Sequence, residues 1–190
     1  KDRSVSSGTA SLLISFYPHP RKIIDAGYNI KLLNTKEEKT EIITSYGIDY
    51  IHFINFTREF SVMSYSDFYR NYIFSSLTVR NIIAGTNHMF GENRKGDNRL
   101  LSQLCSEHGV DLTSVPPVLS GSKTISSTRI RKCIEEGNVC EASEMLGYCY
   151  SIRGKVVKGK GLGSSMGFAT ANTDILNSDK AVPKKGVYFT

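Results

Sequence analysis

No long block of consecutive Lys or Arg occurs in the 190 residues, although the net charge is +6. A basic nucleic-acid tail is therefore not expected, and the scattered charge suits either nucleic acid or phosphorylated small molecules. The four cysteines (Cys105, Cys133, Cys140 and Cys149) form no C-x-x-C pair, which argues against a zinc site. Three of them fall in apolar helical patterns, where reduced Cys acts as a small core residue, so a reduced, cytoplasmic protein is expected. No apolar run is long enough to span a membrane. The first ten residues, KDRSVSSGTA, lack the apolar centre of a signal peptide. The glycine-rich stretches do not read G-x-G-x-x-G. Gly154 to Lys160 nearly reads as a P-loop, but Gly161 stands where Ser or Thr should hold magnesium.

What is present is ordinary for a globular chain: 39% hydrophobic and 22% charged residues. Residues 12–16 (LLISF) read as a strand buried on both faces. Thr35 and Glu38 form a capping box for a helix that Gly47 ends. IDYIHFI, 48–54, is β-branched and aromatic and reads as the next strand. Ser64 and Asp67 open a helix with Phe68, Tyr72 and Ile73 inside. VRNIIAG, 79–85, is a third strand. A helix from Asp97 carries Leu100, Leu101, Leu104 and Cys105 on one stripe and stops at Gly109. A short strand is expected before or around Pro116 to Leu119. Next comes a helix with Ile130, Cys133 and Ile134 inside, ended by Gly137. Asn138 and Glu141 suggest a last capping box, for a helix ending near Gly147.

Strand and helix patterns thus alternate five times, which predicts an α/β domain with a mostly parallel sheet. In such folds ligands bind beyond the carboxyl ends of the strands, here after Phe16, Gly85 and Leu119. After Tyr148 the texture changes to alternating stretches and dense glycine, as at the start of an all-β unit. About 40 residues cannot bury an adequate core alone. That stretch is expected to pack on the first domain or to continue beyond Thr190.

Three stretches carry chemistry. In KTISSTRIRKCIEEG, 123–137, Thr124, Ser126, Ser127 and Thr128 run into Arg129 and Arg131 at a helix start. Capping needs one hydroxyl. A helix N-terminus attracts anions, and arginine binds phosphate through two parallel hydrogen bonds. Both a simple cap and a phosphate site fit. In GTNHMFGENRKGD, 85–97, a long glycine-marked loop leaves a strand with His88, Arg94 and Lys95 inside it, as functional loops do. His88 fits a catalytic base or a hydrogen-bonded loop residue. In GKGLGSSMGFATAN, 159–172, glycines permit close backbone approach, and Thr170 and Asn172 fit a hydrated Mg²⁺ with phosphate or a plain glycine-rich hairpin. His19, between two prolines, reads as structural; His52 and His108 receive no role.

Taken in order, FYPHP, the EEK of TKEEKT, FTREF, GTNHMFGENRKGD, ISSTRIR, GKGLGSSMGFATAN and VPKKGVY resemble the bifunctional riboflavin kinase/FMN adenylyltransferase (FAD synthetase) family. The resemblance covers nearly the whole chain. It implies a Rossmann-like nucleotidyltransferase domain over 1–147, followed by the start of a riboflavin-kinase β-barrel over 148–190. It implies ATP and FMN or riboflavin as substrates, and Mg²⁺. By its motifs, Ser126, Ser127, Thr128, Arg129 and Arg131 hold ATP phosphates, with Ser127, Thr128 and Arg131 carrying catalysis. Asn87, Phe90 and Gly91 contact flavin. Gly159, Gly161, Gly163 and Gly167 form the kinase nucleotide loop, and Thr170 and Asn172 engage the metal.

The family's H-x-G-H signature would lie before Lys1, and the kinase's later acidic base is absent from these residues. Ala169 stands where proline usually precedes Thr170. An internal piece of a longer enzyme is the expectation. The other readings are a diverged, incomplete homologue, a non-catalytic flavin or nucleotide binder, and a basic nucleic-acid module that no aromatic-flanked basic motif supports.

Overall fold

A computed structural model describes residues 1–25, 27, 29–86, 97–159, 167 and 170–189. The chain divides into two compact units, one formed by residues 1–29 and 47–125 and the other by residues 30–46 and 126–190.

In chain order the elements are α1 (Asp2–Ser6), β1 (Leu12–Tyr17), α2 (Pro20–Ile24), α3 (Lys36–Ser45), β2 (Tyr50–Asn55), α4 (Arg58–Ser61) and α5 (Tyr65–Phe68). A π-helical segment (Tyr69–Phe74), β3 (Asn81–Gly85), α6 (Asn98–Glu107), β4 (Asp111–Val115), β5 (Leu119–Ser120) and β6 (Lys123–Thr124) follow. The chain closes with α7 (Ser127–Glu136), α8 (Val139–Leu146), β7 (Gly154–Val157) and β8 (Asn172–Ile175).

The first unit is mixed α/β with short parallel sheets. β1 pairs parallel with β2, Leu12 opposite Tyr50, and β3 pairs parallel with β4, Asn81 opposite Asp111. Each is a two-stranded sheet, so the mostly parallel sheet expected from alternation is present as two separate pairs among the described residues. Leu12 and Tyr17 are exposed and the residues between them half-buried, so β1 is not covered on both faces as its apolar run suggested. The strand expected near Pro116 is β4, which ends just before the two prolines. Leu119 belongs instead to a short antiparallel hairpin turned by Gly121 at φ 62°.

Asp97 caps α6, and its stripe of Leu101, Leu104 and Cys105 is buried against Tyr69, Ile73 and Val110. The burial of Tyr69 rather than Tyr72 corrects the helical pattern expected there. After α5 the backbone widens into a π-helix, in which Tyr69 and Ile73 face inward. Tyr72 is exposed, yet it stacks on Phe68 at 6.0 Å. His19 is structural as expected: its Nδ1 accepts from the Arg21 backbone N–H and caps α2.

In the second unit α3 has the expected capping box, with Thr35 and Glu38 exchanging hydrogen bonds. α7 buries Ile130, Cys133 and Ile134 as its spacing predicts. The capping box expected for α8 does not form. Asn138 makes no side-chain cap bond, and the Glu141 carboxylate, the other half of such a box, accepts from Arg129 Nη2 at 2.8 Å. Cys140, expected inside, is exposed on the first turn of α8, while Cys105 and Cys133 are buried; all four thiols are free. β7 and β8 form an antiparallel pair, Gly154 opposite Ile175.

Gly137 ends α7 at φ 86°, and a Cβ there would lie 2.9 Å from Tyr188 Oη. Gly137→Ala is expected to destabilise the protein by about 1–2 kcal/mol in chemical denaturation; an unchanged midpoint would contradict this. Burial raises the Tyr69, Tyr148 and Tyr150 phenols above the ordinary tyrosine range. The folded state therefore keeps these protons longer than the unfolded chain. Their contribution is complete below a pH of about 10 and is lost as pH rises beyond it. Their ionisation, followed by tyrosinate absorbance, should coincide with loss of far-ultraviolet ellipticity. Ionisation near pH 10 with the fold intact would refute it.

Candidate functional site

The start of α7 is where hydroxyls and arginines meet. Ser126 is extended, at φ −146°, and its Oγ accepts the Arg129 backbone N–H at 3.3 Å. One hydroxyl thus does the capping. Ser127 and Thr128 occupy the first turn and are exposed. The helix exists because Ile130, Cys133 and Ile134 anchor its other face, so its N-terminal N–H groups and partial positive charge are held in a fixed direction.

Both arginines are fixed by protein groups. Arg129 pairs with Glu141, tying α7 to α8. Arg131 donates from Nε to the Lys31 carbonyl at 2.7 Å. The structure therefore brings Ser126, Ser127, Thr128, Arg129 and Arg131 together on one helix start, with the two guanidinium groups tethered. Near them, Tyr150 donates to the Ala181 carbonyl at 2.7 Å. Burial first, then the Glu38 charge, push its phenol up. Burial likewise pushes the Cys133 thiol up, with Glu141 adding to it.

The second cluster lies at β7 and β8. Asn172 begins β8 opposite Val157, and its side-chain amide lies directly against the Gly159 backbone, where any Cβ would collide with it. Gly159 and Asn172 are therefore adjacent, a close approach that requires glycine. Thr170 and Asn172 are exposed oxygen-bearing residues, and Gly167 takes φ 79°. Among the described residues no group of three His, Cys, Asp or Glu could hold a metal. The neutral donors Thr170 and Asn172 fit a magnesium ion whose remaining ligands are phosphate oxygens and water, rather than one held by protein alone. Asn87, His88, Phe90, Gly91, Gly161 and Gly163 lie outside the described residues.

Sequence reasoning missed a buried set in the same unit. The Lys180 ammonium lies 2.5 Å from Glu38 Oε2, donates to the Leu33 carbonyl at 2.7 Å, and sits 4.5 Å from the centroid of the Tyr150 ring. Lys180 and Glu38 are 3% and 5% exposed. The one sequence signal was their presence in or beside quoted motifs, EEK and VPKKGVY; their pairing spans 142 positions and has no spacing signature.

Residues 1–129 match the family model described as FAD synthetase, and residues 146–190 match that described as riboflavin kinase. The bifunctional riboflavin kinase/FMN adenylyltransferase of Listeria monocytogenes is 34% identical over 182 residues, covering 95% of this chain and 57% of that protein. The Escherichia coli protein of the same name is 31% identical over 177 residues, covering 93% and 56%. The Bacillus subtilis one is 30% identical over 190 residues, covering 99% and 59%. The chain spans a little over half the length of these curated relatives. A crystal structure described as a macrolide-efflux protein from Streptococcus pneumoniae superposes with a TM-score of 0.89 at 26% identity, over 98% of this chain and 60% of that one. Among the described residues no helix is long and apolar enough to cross a membrane.

Ser126→Ala should lower stability by about 0.5–2 kcal/mol. Ser127→Ala and Thr128→Ala should stay within about 0.5 kcal/mol of the parent in the same denaturant titration. Equal losses at all three positions would show that the spare hydroxyls are structural.

Proposed function

The chain belongs to the FAD synthetase family, and from that premise we propose that the protein containing it adenylylates FMN to FAD and phosphorylates riboflavin to FMN. The observation that carries the reading is the pairing of two family matches in order with a capped, anchored helix start bearing two exposed hydroxyls and two tethered arginines. The border between the two sequence modules is placed at residue 147. Residues 1–147 are read as a Rossmann-like nucleotidyltransferase module, and β7 and β8 as the beginning of the kinase barrel.

In adenylylation the FMN phosphate oxygen forms a bond to the α-phosphorus of ATP, and the bond from that phosphorus to the β-phosphate bridging oxygen breaks, releasing pyrophosphate. No protein nucleophile is required; positioning and charge neutralisation lower the barrier. Ser127 and Thr128 donate hydroxyl hydrogen bonds to β- and γ-phosphate oxygens. Arg131 neutralises their charge, Ser126 and Arg129 shape the same anion cradle, and the α7 dipole adds to it. The resemblance to the family assigns flavin binding to Asn87, Phe90 and Gly91.

In the kinase module Gly159, Gly161, Gly163 and Gly167 let backbone N–H groups approach nucleotide phosphates. Thr170 and Asn172 would help hold Mg²⁺, which would supply charge neutralisation for the nucleotide phosphates. Substrates are thus small molecules, with neither nucleic acid nor a membrane as partner, and a cytoplasmic location agrees with four free thiols. A non-catalytic flavin or nucleotide binder is the competing reading.

The test uses the full-length protein with ATP, Mg²⁺ and either riboflavin or FMN, the flavins being separated by chromatography. Formation of FMN from riboflavin and of FAD from FMN is expected; neither product would sink the proposal. Arg131→Ala should lower FAD formation by at least roughly tenfold while riboflavin phosphorylation survives. Equal loss of both would contradict the assignment of two separate sites.

A further inference from the structure

The backbone of residues 31–34 is held on both sides. On one side the Lys31 carbonyl accepts Arg131 Nε. On the other, Lys31 Nζ donates to the Ser178 carbonyl at 2.9 Å and the Leu32 N–H donates to the Asp179 carbonyl at 2.7 Å. The Leu32 carbonyl accepts the Ala181 N–H at 2.8 Å, and the Leu33 carbonyl accepts Lys180 Nζ. Asn34 Oδ1 accepts the Tyr148 hydroxyl at 3.1 Å. Leu32 and Lys180 form a parallel bridge. Residues 31–34 thus act as a strap between α7 and the turn at 178–181. That turn lies in the segment matching riboflavin kinase, whereas the strap lies in the segment matching FAD synthetase.

The carbonyl that orients Arg131 is only as well placed as this strap. Lys180 is its keystone, because it bonds the strap directly at Leu33 and fixes Glu38, whose Oε2 also accepts the Thr35 N–H at the strap's end. We propose that Lys180, from the kinase-matched segment, is a positioning residue for adenylylation: with Glu38 it sets the 31–34 strap, and the strap aims Arg131. This rests on the assignment of Arg131 to the ATP phosphates made above. A displacement of a binding group by about 1 Å is enough to lower a rate by up to a hundredfold. The kinase-matched turn is, on this account, part of the adenylylation site's support.

The experiment uses the full-length protein with the single variants Lys180→Met and Arg131→Ala and the double variant. For FAD formation, kcat/KM for ATP in Lys180→Met should fall by about tenfold, mainly through KM, in protein that still melts cooperatively. If Lys180 acts through Arg131, the double variant should be no worse than Arg131→Ala alone. Additive losses, or a fall in kcat alone that tracks the folded fraction, would overturn the proposal. The second readout does not depend on activity. In a ¹⁵N spectrum the Arg131 Nε–H, identified by its disappearance in Arg131→Lys, should exchange slowly with water in the parent and fast in Lys180→Met. Unchanged exchange would overturn the positioning role even where FAD forms. Absence of FAD in the parent with changed exchange would overturn the function assigned to Arg131 and leave the strap standing.

Discussion

An ammonium and a carboxylate, Lys180 and Glu38, face each other at 2.5 Å with both side chains almost wholly out of water. Burying two charges is costly, and the attraction between them compensates only where the remaining donors and acceptors are satisfied. Here they are. Glu38 Oε2 takes the Thr35 N–H as well as the lysine, and the lysine takes the Leu33 carbonyl and the face of Tyr150. Burial lowers the Lys180 pKa, and Glu38 opposes that shift. Because neither charge can stay buried alone, residues 30–46 and the turn at 178–181 have to be placed together. The pair thereby ties together two of the stretches, far apart in sequence, from which the second unit is assembled.

The start of α7 inherits its order from this unit. Its apolar stripe fixes the axis, the Ser126 cap fixes the first turn, and the Lys31 carbonyl and Glu141 fix the two guanidinium groups. On the proposed reading, an anion arriving there meets groups already ordered, so less conformational entropy is lost on binding. The same tethers use hydrogen-bonding capacity that a solvent-facing arginine would offer freely. The site is thus narrower in orientation than its composition suggests.

Local features were legible in the sequence wherever their cause was local. The Thr35–Glu38 box, the α6 and α7 stripes, and the stops at Gly109, Gly137 and Gly147 all depend on neighbours within a few positions. Failures came where a distant or competing partner decided. Glu141 pairs with Arg129 of α7, 12 positions away, where a local reading has it closing the cap of α8. Tyr69 lies inside in place of Tyr72 in a π-helical segment packed against α6, a contact between elements far apart in sequence. Cys140 followed the apolar pattern of α8 but lies on its outer face. In the candidate site, hydroxyls, glycines and arginines could be picked out by type and order. Lys180, Glu38 and the strap could not, since nothing in their spacing announces contact across 142 positions.

On the proposed reading the flavin phosphate attacks the α-phosphorus of ATP in a site built on α7. ATP carrying ³²P at the α-position, given to the full-length protein with FMN and Mg²⁺, follows that bond itself. Label should appear in FAD, with unlabelled pyrophosphate in equal molar amount. Label that stays in ATP, or that leaves in any product other than FAD, would contradict that reading.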